Sequence, residues 1–250
     1  KYLIKYLKKQ KNSLLIKPMK YGVITGSKKI RSTIILDFGK IFNLNEKKLI
    51  NICAAVECIH SYSLIHDDLP CMDNDKMRRG KPSTHVKFGE ASAVLAGSSL
   101  LTLAFEIITE EKYLLNYKMK NEIIKFLASC SGHTGIAGGQ ELDLKFENKN
   151  MKMNQIIDMQ KKKTGKLFNF CLYSVGVIAN KTKKEKKYLS DLGEEIGLLF
   201  QLADDFLDKK GSKHLLGKPV KKDNKKGKST LLNLMGEKKA YLYANNLKKK

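Results

Sequence analysis

Of the chain's 250 residues, 48 are Lys or Arg against 25 Asp or Glu, a formal net charge of +23, yet only Arg31, Arg78 and Arg79 are arginine. Lysine is spread over nearly every segment, with little of the arginine that reads guanine edges and no aromatic-interleaved basic motif, which argues against a nucleic-acid reader. The five cysteines form no Cys-x-x-Cys pair, which argues against a disulfide scaffold and fits buried free thiols in a reducing cytoplasm.

The N-terminus has lysines but no compact apolar stretch followed by a small-residue cleavage site, so no secretory signal is expected. Apolar residues recur at helical spacing over residues 20–42, 46–68, 90–109, 117–139, 152–179, 184–208 and 229–247, and no window sustains a period of two. Pro18, Pro70, Pro82 and Pro219 fall where this periodicity stops. The longest uncharged run, Ala91 to Phe105, is shorter than the roughly 18–20 residues of a spanning helix. With Gly97, Ser98 and Ser99 inside it, the run reads as a core helix, and no membrane span is expected. Lys209 to Lys228 is a Lys/Gly/Asn-biased loop. The whole predicts an all-α fold, a single domain over residues 1–250, built as a bundle of long antiparallel helices around a central cavity.

Against this basic background the segment Asp67-Asp68-Leu-Pro-Cys-Met-Asp73-Asn-Asp75-Lys-Met-Arg78-Arg79-Gly80 gathers four carboxylates beside two of the three arginines. Arginine grips phosphate with a planar fork where lysine acts as a point charge, so the pair suggests a site handling both a divalent cation and an anion such as diphosphate. The helix from about Glu46 should end here, because the residue before Pro70 disfavours helical dihedrals. Its last turn would deliver Asp67 and Asp68, with His60 about 10 Å up the same stripe at 1.5 Å per residue. Taken alone, His60 is more often a hydrogen-bonded core or boundary histidine than a ligand.

Downstream, Gln201-Leu-Ala-Asp204-Asp205-Phe-Leu-Asp208 repeats the theme. Asp204 and Asp208, four apart, share a helix face, and such carboxylates in an apolar setting call for water or a cation. Mg²⁺ suits them: it takes oxygen ligands, keeps several waters and bridges carboxylates to substrate phosphates.

These motifs carry a resemblance. Gly26-Ser27-Lys28-Lys-Ile-Arg31, the run from Glu57 through His60 and Tyr62 to Asp67-Asp68-Leu-Pro, Gly138-Gly-Gln140-Glu-Leu-Asp143, Lys163-Thr164-Gly165, the second Asp-rich motif, Gly217-Lys218 with Asp223, and Gly227-Lys228-Ser-Thr230 stand in the order found in trans-isoprenyl diphosphate synthases. Within this polyprenyl synthetase family the chain is most similar to the bacterial farnesyl diphosphate synthases, from about Tyr21 to about Ala240. Ser27 and Ser32 depart from the family's usual Gly and Pro, and Asn74 stands where Asp is common. Relatives generally continue beyond the equivalent of Lys250, so C-terminal helices are expected to be missing from the residues given.

The resemblance implies an isoprenoid synthase fold and a Mg²⁺-dependent, head-to-tail condensation of isopentenyl diphosphate with dimethylallyl or geranyl diphosphate, ending at farnesyl diphosphate. It implies that Asp67, Asp68, Asp73, Asp204, Asp205 and Asp208 hold Mg²⁺, that Lys28, Arg31, His60 and Arg79 hold isopentenyl diphosphate, and that Arg78, Lys163, Thr164, Gln201, Lys218 and Lys228 contact the allylic diphosphate. Asp67, Asp68, Asp73, Arg78, Lys163 and Asp204 would carry the catalysis. Lys163 and Lys228 also read as ordinary surface charge within lysine runs, and Gln140 and Asp143 as orienting or structural residues. Tyr62 and Ser63, just before Asp67, are the implied determinants of product length, although an ideal helix sets Tyr62 about 140° from Asp67. A homodimer is implied too, and Ala91 to Phe105 could supply its interface or simply core packing. The alternatives are a geranylgeranyl or longer-chain synthase, a class I terpene cyclase, which needs no second diphosphate site, and a noncatalytic basic protein that binds polyanions.

Overall fold

The structure is a computed structural model that describes residues 2–9, 13–24, 28–110, 115–210 and 230–249. Among them all regular structure is helical apart from one two-stranded hairpin. The helices are α1 (Tyr2–Lys9), α2 (Ile16–Ile24), α3 (Ile30–Ile41), a 3₁₀ turn (Glu46–Lys48), α4 (Ile50–Asp67), α5 (Thr84–Phe88), α6 (Glu90–Thr109), α7 (Tyr117–Ser131), α8 (Ile136–Lys145), α9 (Met153–Gln160), a π turn (Lys161–Gly165), α10 (Lys166–Ile178), α11 (Lys183–Lys210), α12 (Leu231–Met235) and α13 (Glu237–Lys249). Strands β1 (Met77–Arg78) and β2 (Lys81–Pro82) pair antiparallel. The expected all-α class is therefore the observed one.

Backbone contacts group the chain into two compact units, 1–127 with 171–187, and 128–170 with 188–250. In the first, α4 is the central helix: every position from Asn51 through Ile59 is buried, as required of a helix covered all round. Its main neighbour is α6, with α3 and α2 beside it. The inner face of α6 places Ala93, Ala96, Gly97, Leu100, Leu103, Ala104 and Ile107 at the three- and four-residue spacing of a single stripe. Each fully buried Leu or Ile here contributes roughly 1.5–3 kcal/mol. By length and composition α6 would also suffice to cross a bilayer, and its continuous inner stripe is what a core helix needs. Lys120 closes its far end by donating to the carbonyls of Thr109 and Glu110 at 2.9 and 3.1 Å, acceptors that a helix terminus leaves open.

In the second unit Ile156, Met159, Leu198, Leu202 and Leu231 form a buried cluster that joins α9, α11 and α12, with residues of α8 and α13 packed against it.

Several helical windows break where periodicity alone ran on. Residues 20–42 split into α2 and α3, with Lys29 held at φ 53°. Pro18 sits inside α2, in the first turn, where its missing N–H costs no bond. Residues 117–139 split at Gly132–Gly135, where a Cβ on Gly135 would lie 1.9 Å from the Cys130 carbonyl oxygen. Residues 229–247 split at Gly236, with φ 75°. A face that stays apolar across a sharp turn keeps its spacing in sequence, so periodicity does not register the turn.

Candidate active site

In the first unit the C-terminal end of α4 and the chain after it form a hook. Past Pro70 the backbone doubles back: the N–H groups of Asp73, Asn74 and Asp75 donate to the carbonyls of Asp67, Leu69 and Asp68 at 2.9, 3.0 and 3.1 Å. Asn74 takes φ 50° at the bend, a conformation that Asn tolerates well. The expected ligands Asp67, Asp68 and Asp73 are thus brought together by main-chain bonds, whatever their side chains bind.

The hairpin follows. Met77 pairs with Pro82 and Arg78 with Lys81, so Arg79 and Gly80, at φ 52° and 76°, form the two-residue turn. Two successive positive φ values match the right-handed twist of the strands. Of the six non-glycine residues with positive φ among the described residues, four are Asn; the others are Lys29 and Arg79. Left-handed backbone costs an ordinary side chain roughly 1–2 kcal/mol, and such strain persists where surroundings fix it, often at functional sites. The charges of both residues act on His60.

Arg78 projects from β1 onto the hook. Its Nε donates to both oxygens of the buried Asp68 at 3.0 and 3.2 Å, its Nη2 also bonds Asp68, and Nη2 lies 3.5 Å from Asp75 Oδ2. Burial works against the guanidinium's charge, but Asp68 and Asp75 outweigh it and raise its pKa. In the described chain Arg78 neutralises Asp68, a role that the expected allylic contact did not include.

Half-buried His60 stands among the cations. Burial is the largest influence on it, and the charges of Arg31, Arg79, Lys29 and Arg78 add to this, holding its pKa well below 6.5 and the ring neutral. All three arginines of the chain therefore act on one histidine. Lys28 is exposed at the entrance to α3. Its neighbour Lys29 donates to the Val23 carbonyl and to Glu57 Oε2, both at 3.0 Å, while Ser32 donates to Glu57 Oε1 at 2.8 Å. Ser32, which departs from the family pattern, thus ties α3 to a glutamate buried within α4. Neither Lys29 nor Glu57 was a candidate from the sequence, although a lone carboxylate in the apolar run of α4 was a visible signal.

Tyr62 is buried one turn before His66 and meets its ring edge to face, with centroids 5.3 Å apart. His66 Nε2 lies 3.1 Å from the Val94 carbonyl oxygen, and α6 leaves it room: a Cβ on Gly97 would stand 2.2 Å from the same nitrogen. Ser63 turns inward on its own helix and donates to the His60 carbonyl at 3.0 Å.

In the second unit glycines let backbones touch. A Cβ on Gly139 of α8 would lie 2.2 Å from the Lys163 nitrogen, and one on Gly197 of α11 would lie 2.6 Å from Gly165 Cα. The π turn between α9 and α10 sits in these contacts. Single π turns inside α-helices recur at functional sites. Lys163 Nζ reaches Asp143 on α8 at 2.5 Å, so Lys163 is not free surface charge, and Asp143 is its partner. Gln140, expected to orient neighbours, is buried and makes no side-chain hydrogen bond among the described residues.

Thr164 donates to Gln201 Oε1 at 2.8 Å, Gln201 Nε2 donates to Asp205 Oδ1 at 2.9 Å, and Gln160 Nε2 to Asp205 Oδ2 at 3.4 Å. Asp205 lies inside the unit, 4% exposed, held by two amides. Asp204 is exposed and Asp208 half-buried; at about 100° per residue Asp204 points about 100° from Asp205 and Asp208 about 60° to the same side. Among the described residues no three His, Cys, Asp or Glu side chains form a ready-made metal cage. Lys218 and Lys228, with the Asp223 motif, lie outside the described residues.

Carboxylates grouped on α4 and again on α11, with Arg78 and Arg79 following the first group, are a donor set suited to a divalent cation and a phosphate-type anion. The chain belongs to the polyprenyl synthetase family, whose profile matches residues 12–249. It is 40% identical to the farnesyl diphosphate synthase of Bacillus subtilis over 228 residues, 90% of this chain and 77% of the relative. An FPP/GFPP synthase of Zymomonas mobilis, solved in its apo form, superposes with a TM-score of 0.86 at 37% identity, covering 98% of this chain and 84% of that one. The geranyltransferase of Helicobacter pylori, solved with magnesium and isoprenyl diphosphate, superposes with a TM-score of 0.85 at 32% identity, covering 99% and 85%. The fold is that of the isoprenoid synthases.

Proposed function

We propose that the protein is a prenyltransferase that condenses isopentenyl diphosphate head to tail with dimethylallyl or geranyl diphosphate and releases farnesyl diphosphate. The observation that carries this reading is the hook after α4, which brings Asp67, Asp68 and Asp73 together by main-chain bonds and sets Arg78 on Asp68. The similarity to farnesyl-forming relatives supports it.

The allylic carbon–oxygen bond breaks with its electron pair on the departing diphosphate, and the isopentenyl double bond attacks the resulting allylic cation. A proton then leaves the neighbouring carbon for the released diphosphate, so no covalent enzyme nucleophile is needed. Lys28, Arg31, His60 and Arg79 hold isopentenyl diphosphate, with His60 neutral and donating from its ring N–H. Lys163, Thr164 and Gln201 hold the allylic diphosphate, joined by Arg78, Lys218 and Lys228.

The carboxylates fit Mg²⁺, an oxygen-seeking ion that keeps water and binds beside phosphate. Asp67, Asp68 and Asp73 would hold it at one cluster, and Asp204 with Asp208 at the other. Asp205, expected as a ligand, is assigned here to orienting Gln201, because both its oxygens accept from amides. Bound there, the ion would neutralise charge developing on the leaving diphosphate. Arg78 pairs with Asp68 and would be available to the diphosphate on leaving it. The Helicobacter pylori relative, solved with magnesium, supports the metal.

A homodimer through α6 is supported by exposed Val94 and Leu95 on its outer side, and a reducing cytoplasm by five free cysteines. The test is incubation of the full chain with isopentenyl and geranyl diphosphates and Mg²⁺, followed by product sizing. A fifteen-carbon product is expected, and Tyr62→Ala should lengthen it. Absence of condensation overturns the reading; an unchanged product from Tyr62→Ala overturns the length assignment alone.

A further inference from the structure

Lys161 and Lys166 bound the π turn, and they are linked twice. The N–H of Lys166 donates to the carbonyl of Lys161, the five-residue closure that defines the widened turn. Their side chains then converge on a single carboxylate of α11: Lys161 Nζ lies 3.2 Å from Glu194 Oε2, and Lys166 Nζ lies 2.9 Å from Glu194 Oε1. At about 100° per residue, positions five apart on an α-helix point about 140° away from each other. The widened turn brings the two toward the same side, where one carboxylate serves both.

We propose that Glu194 is a positioning residue for the allylic diphosphate: by holding Lys161 and Lys166 together it keeps the turn in its widened register. That register sets Lys163 against Asp143 and Thr164 against Gln201. Relaxation to an α-helical turn would rotate both by about 100° for each residue of slip, away from these partners. The inference rests on the prenyltransferase reading given above.

Packing supports the clasp. A Cβ on Gly165 would stand 3.2 Å from Glu194 Cγ, so the backbone of the turn lies directly against this side chain. Burial alone would raise the carboxyl's pKa, but Lys166 and Lys161 outweigh it and keep the group ionised, as a clasp of two cations requires. Glu194 pairs with Lys161 and Lys166, the residues that bound the turn, and it acts through the turn that carries Lys163 and Thr164.

The test compares wild type with Glu194→Gln and with the double variant Lys161→Met/Lys166→Met, which removes the clasp from its more exposed side. Both should raise KM for geranyl diphosphate about tenfold and lower kcat, while KM for isopentenyl diphosphate stays within about twofold. A general loss of structure would move both KM values and Tm together. Hydrogen exchange over residues 161–168, measured without substrate, should quicken in both variants. If wild type condenses the substrates and both variants keep its allylic KM, the inference is overturned. If Glu194→Gln fails to fold, the lysine double variant decides in the same way. If wild type itself shows no condensation, the functional reading fails; unchanged exchange in the variants then overturns the clasp and faster exchange supports it.

Discussion

The hook at Asp67–Asp75 and the row at Asp204–Asp208 carry similar carboxylates and hold them by opposite means. At the hook, Asp68 is buried beneath Arg78, a full positive charge on its oxygens. On α11, Asp205 is buried beneath two neutral amides, and the carboxylates of Asp204 and Asp208 lie on the more open face. A charged partner can be exchanged for another cation with little change in local charge. Amides instead fix direction, leaving the charge to whatever arrives outside. One cluster is thus built for substitution and the other for orientation.

The largest expected effect separates these roles. Asp68→Asn leaves Arg78 buried with Asp75 as its remaining acid among the named partners, and kcat/KM should fall by roughly 100- to 1,000-fold, the scale for losing one group that stabilises developing charge. Asp204→Asn should cost a similar order, and raised Mg²⁺ should recover part of it if that residue holds the ion. Asp205→Asn should resist such recovery, because its amide would face the amides of Gln201 and Gln160 whatever the metal concentration. A Mg²⁺ titration of the three variants checks this. Recovery of Asp205→Asn alongside Asp204→Asn would make Asp205 a ligand and erase the contrast.

Glycine sharpens the same comparison at smaller scale. Gly139→Ala places a methyl group 2.2 Å from the Lys163 nitrogen and 2.5 Å from its Cα, backbone atoms that cannot swing aside. Overpacking of this kind costs roughly 1–3 kcal/mol and should lower Tm by several degrees and disturb the Lys163–Asp143 pair. Gly80→Ala in the hairpin meets nothing within 4 Å, but its φ is 76°, so it should cost only the left-handed penalty of roughly 1–2 kcal/mol. Thermal unfolding of both variants orders them; a Gly80→Ala loss exceeding that of Gly139→Ala would show that the close approach in the second unit is softer than its geometry implies.

The sequence discloses what depends on spacing and conceals what depends on register. Helix α6 matches its expected window of 90–109 because no turn interrupts its apolar stripe. The hook could be anticipated from Pro70 and the acids around it. The π turn could not, since one extra residue per turn leaves hydrophobic spacing almost unchanged over five positions. Lys163 lies in a lysine run, and only the approach of Gly139 and Asp143 on α8 removes it from ordinary surface charge. Lys29 and Glu57 escaped notice for a related reason: their pairing spans 28 residues, and Lys29 takes a left-handed backbone that spacing does not reveal.

The smallest effect concerns His60 and tests whether the cationic surroundings of the first unit exist before substrate arrives. Burial and four neighbouring cations depress its pKa far below 6.5 in the folded chain, whereas the unfolded chain titrates near its ordinary value. Well above pH 6.5 both states hold a neutral ring and the group leaves stability unaffected. As pH falls below that value the unfolded state takes up a proton that the native ring resists, and stability declines until the native pKa is reached. His60→Gln removes the difference, so the variant should lose less stability than wild type between neutral pH and pH 5, by about 1 kcal/mol for each pH unit spanned well below the unfolded pKa. Diphosphate should oppose the depression, because an anion beside Arg31 and Arg79 cancels the charges that cause part of it. Titration of the His60 ring by NMR with and without inorganic diphosphate then reads the same cluster directly. An upward shift on binding marks His60 as part of the anion site; a pKa that ignores the ligand would remove His60 from that site and return it to the core.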